Sequence, residues 1–133
     1  MEVSSIHQTA VVHATPEEVY KALTDTRLYS RFTGSSADIG RHVGDPFTAH
    51  DGYIHGLNLE LEPGKRIVRS WRANEAGWPE DHYSQVSFSL HPIDQGTKVV
   101  LHHERVPADL RESFKQGWKD YYWSPLRTLF HHN

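Results

Sequence analysis

Eleven histidines are the side chains of this sequence best suited to chemistry, because imidazole both ligates metals and moves protons near neutral pH. Their spacing along the chain argues against a metal cluster. His102 and His103 are neighbours in a strand-like stretch and point to opposite faces, so they cannot chelate together. His7 and His13 share a face but lie about 20 Å apart, at ~3.3 Å per residue of extended chain. His50 and His55 flank a turn and can approach each other, yet no adjacent carboxylate marks a two-histidine, one-carboxylate site. His131 and His132 read as a frayed, solvated terminus. No metal or other cofactor is expected.

His103 is the exception. It shares a strand face with Val99 and Leu101, so if these pack inward the imidazole enters the interior and needs a partner there. Two roles are open. It is either a core histidine satisfied by a tyrosine or a backbone group, or one of the few polar groups that, with Tyr121 or Tyr122, orient a ligand in an apolar pocket.

Other catalytic signatures are absent. There is no cysteine nucleophile, no G-x-S-x-G elbow, no P-loop and no dinucleotide fingerprint. Glu17-Glu18 and Glu80-Asp81 are paired carboxylates, but they fall in a helix cap and a loop, where solvated faces are the expected reading. An enzyme would have to use His103 or a tyrosine as its general acid or base.

Composition bounds the rest. With no cysteine, disulfides and thiolate metal sites are excluded, which fits a reducing cytoplasm. The 14 Lys and Arg against 17 Asp and Glu are interspersed and give a net charge of −3, so nucleic acid is not an expected partner. No basic segment followed by an apolar run opens the chain, and no window approaches the ~20 apolar residues of a membrane span. The expectation is a cytoplasmic single domain over residues 1–133, with no membrane partner.

The elements that must position these residues are legible from pattern. Val3 to Val12 has the β-branched residues of a strand. Thr15-Pro16-Glu17-Glu18 then opens a helix: the Thr15 hydroxyl caps it, Glu18 completes a capping box, and Pro16 stands where a missing N–H costs nothing. Val19, Tyr20 and Leu23 give it an apolar face, and a second short helix follows from Asp25 to about Phe32. Strands are predicted at Phe47 to His50, Ile54 to Leu61, Arg66 to Arg72, Tyr83 to Leu90 and Lys98 to Glu104. The gaps between them, including Asp51-Gly52, Pro63-Gly64 and Asp94-Gln95-Gly96, are mostly hairpin length, so the strands form an antiparallel meander. Alternation groups Val86, Phe88 and Leu90 on one face, and likewise Leu57, Leu59 and Leu61.

Ala108 to Asn133 reads as one long helix. Leu110, Phe114, Gly117, Trp118, Tyr121, Tyr122 and Leu129 share a face opposite Glu112, Lys119, Asp120 and Arg127. A helix of this kind needs a sheet, and its aromatic stripe either fills a core or lines a cavity. Pro125 is expected to kink or break the helix, because it lacks an N–H and disfavours α at Ser124. Trp123, Leu126 and Phe130 lie outside the main stripe. They pack inward if the kink rotates them, and otherwise form an apolar surface for a second copy or a client.

This α+β order, a strand, two short helices, five or six antiparallel strands and a long final helix, resembles the helix-grip fold of the START-like, or SRPBCC, superfamily. The motifs Asp51-Gly52-Tyr53-Ile54-His55-Gly56, Pro63-Gly64-Lys65-Arg66-Ile67-Val68-Arg69-Ser70-Trp71-Arg72, Trp78-Pro79-Glu80-Asp81-His82-Tyr83 and Gly117-Trp118-Lys119-Asp120-Tyr121-Tyr122 resemble the C-terminal domain of the activator of heat-shock protein 90 ATPase. The resemblance runs from about Ala14 to Phe130 and covers nearly the whole chain.

It implies a curved antiparallel sheet around the final helix, with a cavity between them for an apolar ligand. Trp71, Phe88, Leu101, His103, Phe114, Trp118, Tyr121 and Tyr122 are the candidates to line it. Within the motifs, Asp51-Gly52 is expected to be a turn in which Asp51 bonds its own backbone. Trp78 is expected to pin a loop, and Trp71 to be core rather than ligand platform. A non-catalytic domain binding a small apolar ligand is the leading expectation. The resemblance also implies a chaperone-associated interaction module and, through the wider superfamily, a cyclase-like enzyme using a cavity His or Tyr. Candidate partners are therefore a small apolar ligand, a chaperone or a second copy of the chain.

Overall fold

The computed structural model describes residues 1–130, so the reading of His131 and His132 lies outside the described residues. Seven antiparallel strands form a single curved sheet in the order β1-β7-β6-β5-β4-β3-β2. They are β1 (Val3–Val12), β2 (Asp38–Ile39), β3 (Pro46–Ala49), β4 (Ile54–Glu62), β5 (Arg66–Ala73), β6 (Ser84–Ile93) and β7 (Gly96–Pro107). From β2 onward the sheet is an antiparallel meander, and the last strand then pairs with the first, His7 opposite His102, which leaves β1 and β2 as the two edges. The two-residue β2 was not apparent from pattern, since it is too short to show alternation.

Helices α1 (Pro16–Thr24) and α2 (Thr26–Thr33) begin as their caps dictate. The Thr15 hydroxyl accepts from the Glu18 amide at 3.1 Å, and the Glu18 carboxylate accepts from the Thr15 amide at 2.9 Å. Asp25 ends the first helix and caps the second, accepting from the Leu28 amide at 3.0 Å. Val19, Ala22 and Leu23 of α1 and Tyr29 and Phe32 of α2 are buried.

The final helix does not break at Pro125. After α3 (Arg111–Trp118) the chain widens into one π-helical segment, Lys119–Trp123, and continues as α4 (Ser124–Leu129) with Ser124 helical at φ −62°. Within the wide turn the Ser124 amide reaches back to the Lys119 carbonyl, so the register slips by one residue just before the proline. Pro125 then occupies the first turn of α4, where its missing N–H is tolerated. The slip also rotates the following side chains. Trp123 and Leu126 are buried and Phe130 is half-buried against the core, so these residues face inward rather than forming a partner surface.

Strand β4 corrects the leucine pattern. Ile54, Gly56 and Asn58 point inward, which leaves Leu57 and Leu59 exposed on the outer face. Asn58 is inside because it serves a buried cation: Arg69 of β5 donates through Nε to Asn58 Oδ1 at 2.9 Å and through Nη2 to the Leu23 carbonyl at 2.9 Å. Its guanidinium also sits 5.0 Å from the Phe47 ring centroid. A bulge between Asn58 and Glu60 then shifts the alternation and turns Leu61 towards the core. Gly56 is required by close approach, since a Cβ there would lie 1.9 Å from the Ser70 carbonyl oxygen.

Candidate functional site

Between the inner face of the sheet and the final helix lie two aromatic regions that differ in one respect. One is sealed and the other opens to solvent.

The sealed region surrounds His103. Val99, Leu101 and His103 all point inward from β7, as alternation requires, and all are buried. Trp118 Nε1 approaches His103 Nδ1 at 3.1 Å. An indole N–H can only donate, so Nδ1 is the acceptor and the proton of the neutral ring is on Nε2. That N–H faces Ser84 Oγ at 2.8 Å, and the Ser84 hydroxyl in turn donates to the Trp71 carbonyl at 2.9 Å. Burial pushes the imidazole pKa down to about 3, so the ring is neutral at physiological pH. Both nitrogens are engaged and the ring is fully buried, so His103 offers no free nitrogen to a reacting group. The partners are Trp118 and Ser84 rather than a tyrosine or the backbone, but the role is that of a satisfied core histidine.

The open region is a cleft of about 420 Å³. Its helix wall is Ser113, Phe114, Gly117, Trp118, Tyr121 and Tyr122, and its floor is Ile54 and Trp71 of the sheet. The remaining walls are Thr33 and Ser35 after α2, and His50 and Tyr53 of the β3–β4 turn. Five of the eight candidates inferred from sequence therefore line it: Trp71, Phe114, Trp118, Tyr121 and Tyr122. Phe88, Leu101 and His103 do not. They are buried core residues, with Phe88 packed edge-on against Trp118 at 5.7 Å and Trp123 at 6.4 Å. Tyr121 lines the cleft while remaining 58% exposed, so it belongs to the rim rather than the core stripe.

Trp71 combines both roles weighed for it. Its ring is buried and packs at a tilt against Trp118 at 5.1 Å and Phe47 at 5.9 Å, yet it forms part of the cleft and its indole N–H has no hydrogen-bond partner among the described residues. A buried donor without an acceptor is costly, on the order of 1–3 kcal/mol. Trp78 pins its loop as expected, donating from Nε1 to the His82 carbonyl at 2.8 Å and meeting Phe114 edge-on at 5.7 Å.

Of the cleft residues that were not among the candidates, Thr33, Ser35, His50, Tyr53, Ile54, Ser113 and Gly117, His50 alone is an imidazole. It sits in a run of three left-handed residues, His50, Asp51 and Gly52, at φ 53°, 59° and 88°. Only glycine adopts this region freely, so the turn is held from outside. Asp51 does not bond its own backbone as expected. Its carboxylate accepts from the Ser36 amide at 2.8 Å and its amide donates to the Ser36 carbonyl at 3.0 Å, fastening the turn to the loop after α2.

The His50 ring thereby meets Tyr122 Oη through Nε2 at 3.1 Å, and Tyr122 hydrogen-bonds Tyr29 behind it. Burial lowers the His50 pKa, with Asp51 opposing, and burial raises both phenols, Tyr29 to about 12. The cleft thus carries a chain of neutral polar groups, imidazole to phenol to phenol, at its back wall. His55 points to the other face of β4 and pairs with Tyr83 Oη at 3.1 Å, so the two histidines flanking this turn do not converge.

Comparison with known proteins agrees with this fold. The human activator of 90 kDa heat shock protein ATPase homolog 1 is 30% identical over 115 residues, covering 86% of this chain and 33% of the human protein. Its mouse homolog 2 is 29% identical over 125 residues, covering 94% of this chain and 37% of that one. The chain spans about a third of the length of these relatives. The crystal structure of an HSP90 activator from Plasmodium falciparum superposes with a TM-score of 0.86 at 27% identity over 94% of both chains. A crystal structure from Chromobacterium violaceum matches at 0.80 and 26% identity, covering 97% of this chain and 98% of the other. Residues 13–131 match the family described as activator of Hsp90 ATPase homolog 1-like protein, and the chain belongs to that family.

Proposed function

We propose that this chain is a non-catalytic helix-grip domain that holds a small, largely apolar ligand bearing at least one hydrogen-bond acceptor. The observation that carries the reading is the 420 Å³ cleft walled by aromatic rings, one of which, Trp71, has a buried indole N–H with no partner among the described residues. The volume falls within the range of small-molecule pockets, and a few polar groups in an apolar wall are what such sites use to orient a ligand. The His50–Tyr122–Tyr29 chain supplies those groups, with Tyr121 at the entrance.

Native mass spectrometry of the freshly purified protein tests the reading. The expected result is a co-purifying small molecule whose retention falls about tenfold in Trp71→Phe, the loss of one buried hydrogen bond. A protein that carries nothing, and whose tryptophan fluorescence is unmoved by a panel of small apolar acceptors, would refute it.

A second reading is a chaperone-associated interaction module. It is supported by family membership and by the likeness, across nearly the full length of both chains, to the P. falciparum HSP90 activator. ATP turnover by the cognate chaperone, measured with and without the protein, should then change. Absence of both complex formation and rate change would count against it.

A further inference from the structure

The outer face of the sheet carries a different grouping of histidines, formed where the first strand pairs with the last. His7 and His102 are direct cross-strand partners and their rings lie 4.0 Å apart, tilted by 30°. Glu104, two residues beyond His102 on the same face, brings Oε1 to 3.7 Å from His7 Nε2 and 3.9 Å from His102 Nδ1. One potential ligand atom from each of the three lies within 4.8 Å of the other two.

Two features of the fold aim Glu104 at the pair. The β1–β7 register shifts between Ser4 and Ile6, which leaves an extra residue on β7, and Arg105 takes the left-handed conformation at φ 61° to absorb it. Such a bulge redirects the neighbouring side chain. The Arg105 carbonyl is held by His82 Nε2 at 2.8 Å, so the bulge is anchored from the adjoining loop. The other carboxylate oxygen, Oε2, accepts from the Ser5 hydroxyl at 2.6 Å, which leaves Oε1 turned towards the two imidazoles. A hydrogen bond that orients a ligating carboxylate is a usual outer-sphere feature of metal sites.

We infer that His7, His102 and Glu104 form a binding site for a divalent transition metal of the Zn²⁺ class, pinning the edge strand β1 to β7. Two imidazole nitrogens and one carboxylate oxygen suit Zn²⁺, Ni²⁺ or Cu²⁺ and disfavour Ca²⁺ and Mg²⁺, which take oxygen donors. Ligands at about 2.0–2.2 Å from a tetrahedral metal are roughly 3.3–3.6 Å apart, so the observed 3.7 and 3.9 Å separations from Glu104, and an imidazole pair within 4.8 Å, close by small rotations of solvent-facing side chains. The site lies on the sheet face opposite the cleft and is independent of the ligand reading. Three protein ligands leave a coordination position for water or a donor from another molecule.

Isothermal titration calorimetry of the full chain with ZnCl₂ tests the inference. The expected result is one saturable site, weakened at least tenfold by His7→Ala and by His102→Ala and less by Glu104→Gln, with no saturable heat from CaCl₂ or MgCl₂. The exposed His13→Ala and the tail double variant His131→Ala/His132→Ala should bind like the parent. Addition of CuCl₂ should broaden amide resonances around His7 and His102 first, a readout that needs no variant. Zinc should also raise the thermal midpoint by on the order of 5 °C when saturating. No saturable Zn²⁺ binding, binding unchanged in His7→Ala and His102→Ala, or loss of binding in the tail double variant would each overturn it.

Discussion

Among the described residues, His103 and His50 both reach towards the interior, and they end in opposite situations. His103 sits on a regular strand, both nitrogens are engaged by Trp118 and Ser84, and nothing reaches it from solvent. His50 sits on a strained turn, half-buried, with one nitrogen on the Tyr122 hydroxyl and the cleft in front of it. A donor-only indole against an imidazole closes a network, because the proton positions are then forced. A phenol leaves its network open, because a hydroxyl both donates and accepts and can re-pair with a ligand. The same final helix supplies both partners, four residues apart, so one turn of helix separates the sealed half of the interior from the accessible half.

The strongest way to break the contrast is to remove the wall that both halves share. Trp118→Ala deletes the largest fully buried side chain and leaves His103 Nδ1 without its donor, so a loss of about 3–5 kcal/mol or more is expected in urea unfolding. His103→Leu tests the sealed half alone. It should cost roughly 1–3 kcal/mol at pH 7.5, since the buried Trp118 N–H loses its acceptor while Ser84 keeps only its bond to the Trp71 carbonyl.

The same variant sharpens the comparison through pH. The folded His103 pKa of about 3 lies well below the unfolded value of roughly 6.5, so the unfolded chain binds the extra proton first. The stability held by the neutral ring is complete above that unfolded value and falls as pH drops from 6.5 towards 3, with a limiting slope of about 1.4 kcal/mol per pH unit. Unfolding free energies at several pH values should show this decline in the parent protein and a shallower one in His103→Leu. An unchanged slope would assign the effect to other groups. His50, whose pKa is also lowered by burial, contributes in the same direction, less strongly because it is partly solvated.

Smaller effects belong to the open half. His50→Ala should cost about 1 kcal/mol or less, because Tyr122 keeps Tyr29 as a partner, while retention of a cleft ligand falls several-fold. Tyr121→Ala, at the exposed rim, should leave stability within about 0.5 kcal/mol and change only ligand retention. If Tyr121→Ala destabilised the fold as much as His103→Leu, the distinction between rim and core would be wrong.

Most of the architecture could be read from pattern. Capping chemistry is local, so the start of α1 just after its cap Thr15 follows from four consecutive residues. The inward face of β7 followed from alternation, because Val99 and Leu101 leave His103 no other direction. Alternation misled at β4, where three leucines looked like the core face. The inward position belongs instead to Asn58, whose reason for being there, Arg69, lies on the next strand. Pro125 misleads similarly, because it is costly within a regular α-helix and the π-turn before it removes that cost.

The sequence by itself determined the element order, the caps, the antiparallel meander and the aromatic character of the final helix, since each depends on neighbours within a turn or a strand. The tertiary structure decided which aromatics were sealed, which lined the cleft, and which histidines converged. His50 meets Tyr122, and His7 meets His102 and Glu104, only because strand pairing and helix docking bring distant parts of the chain together. A contact of that kind has no local spacing to betray it.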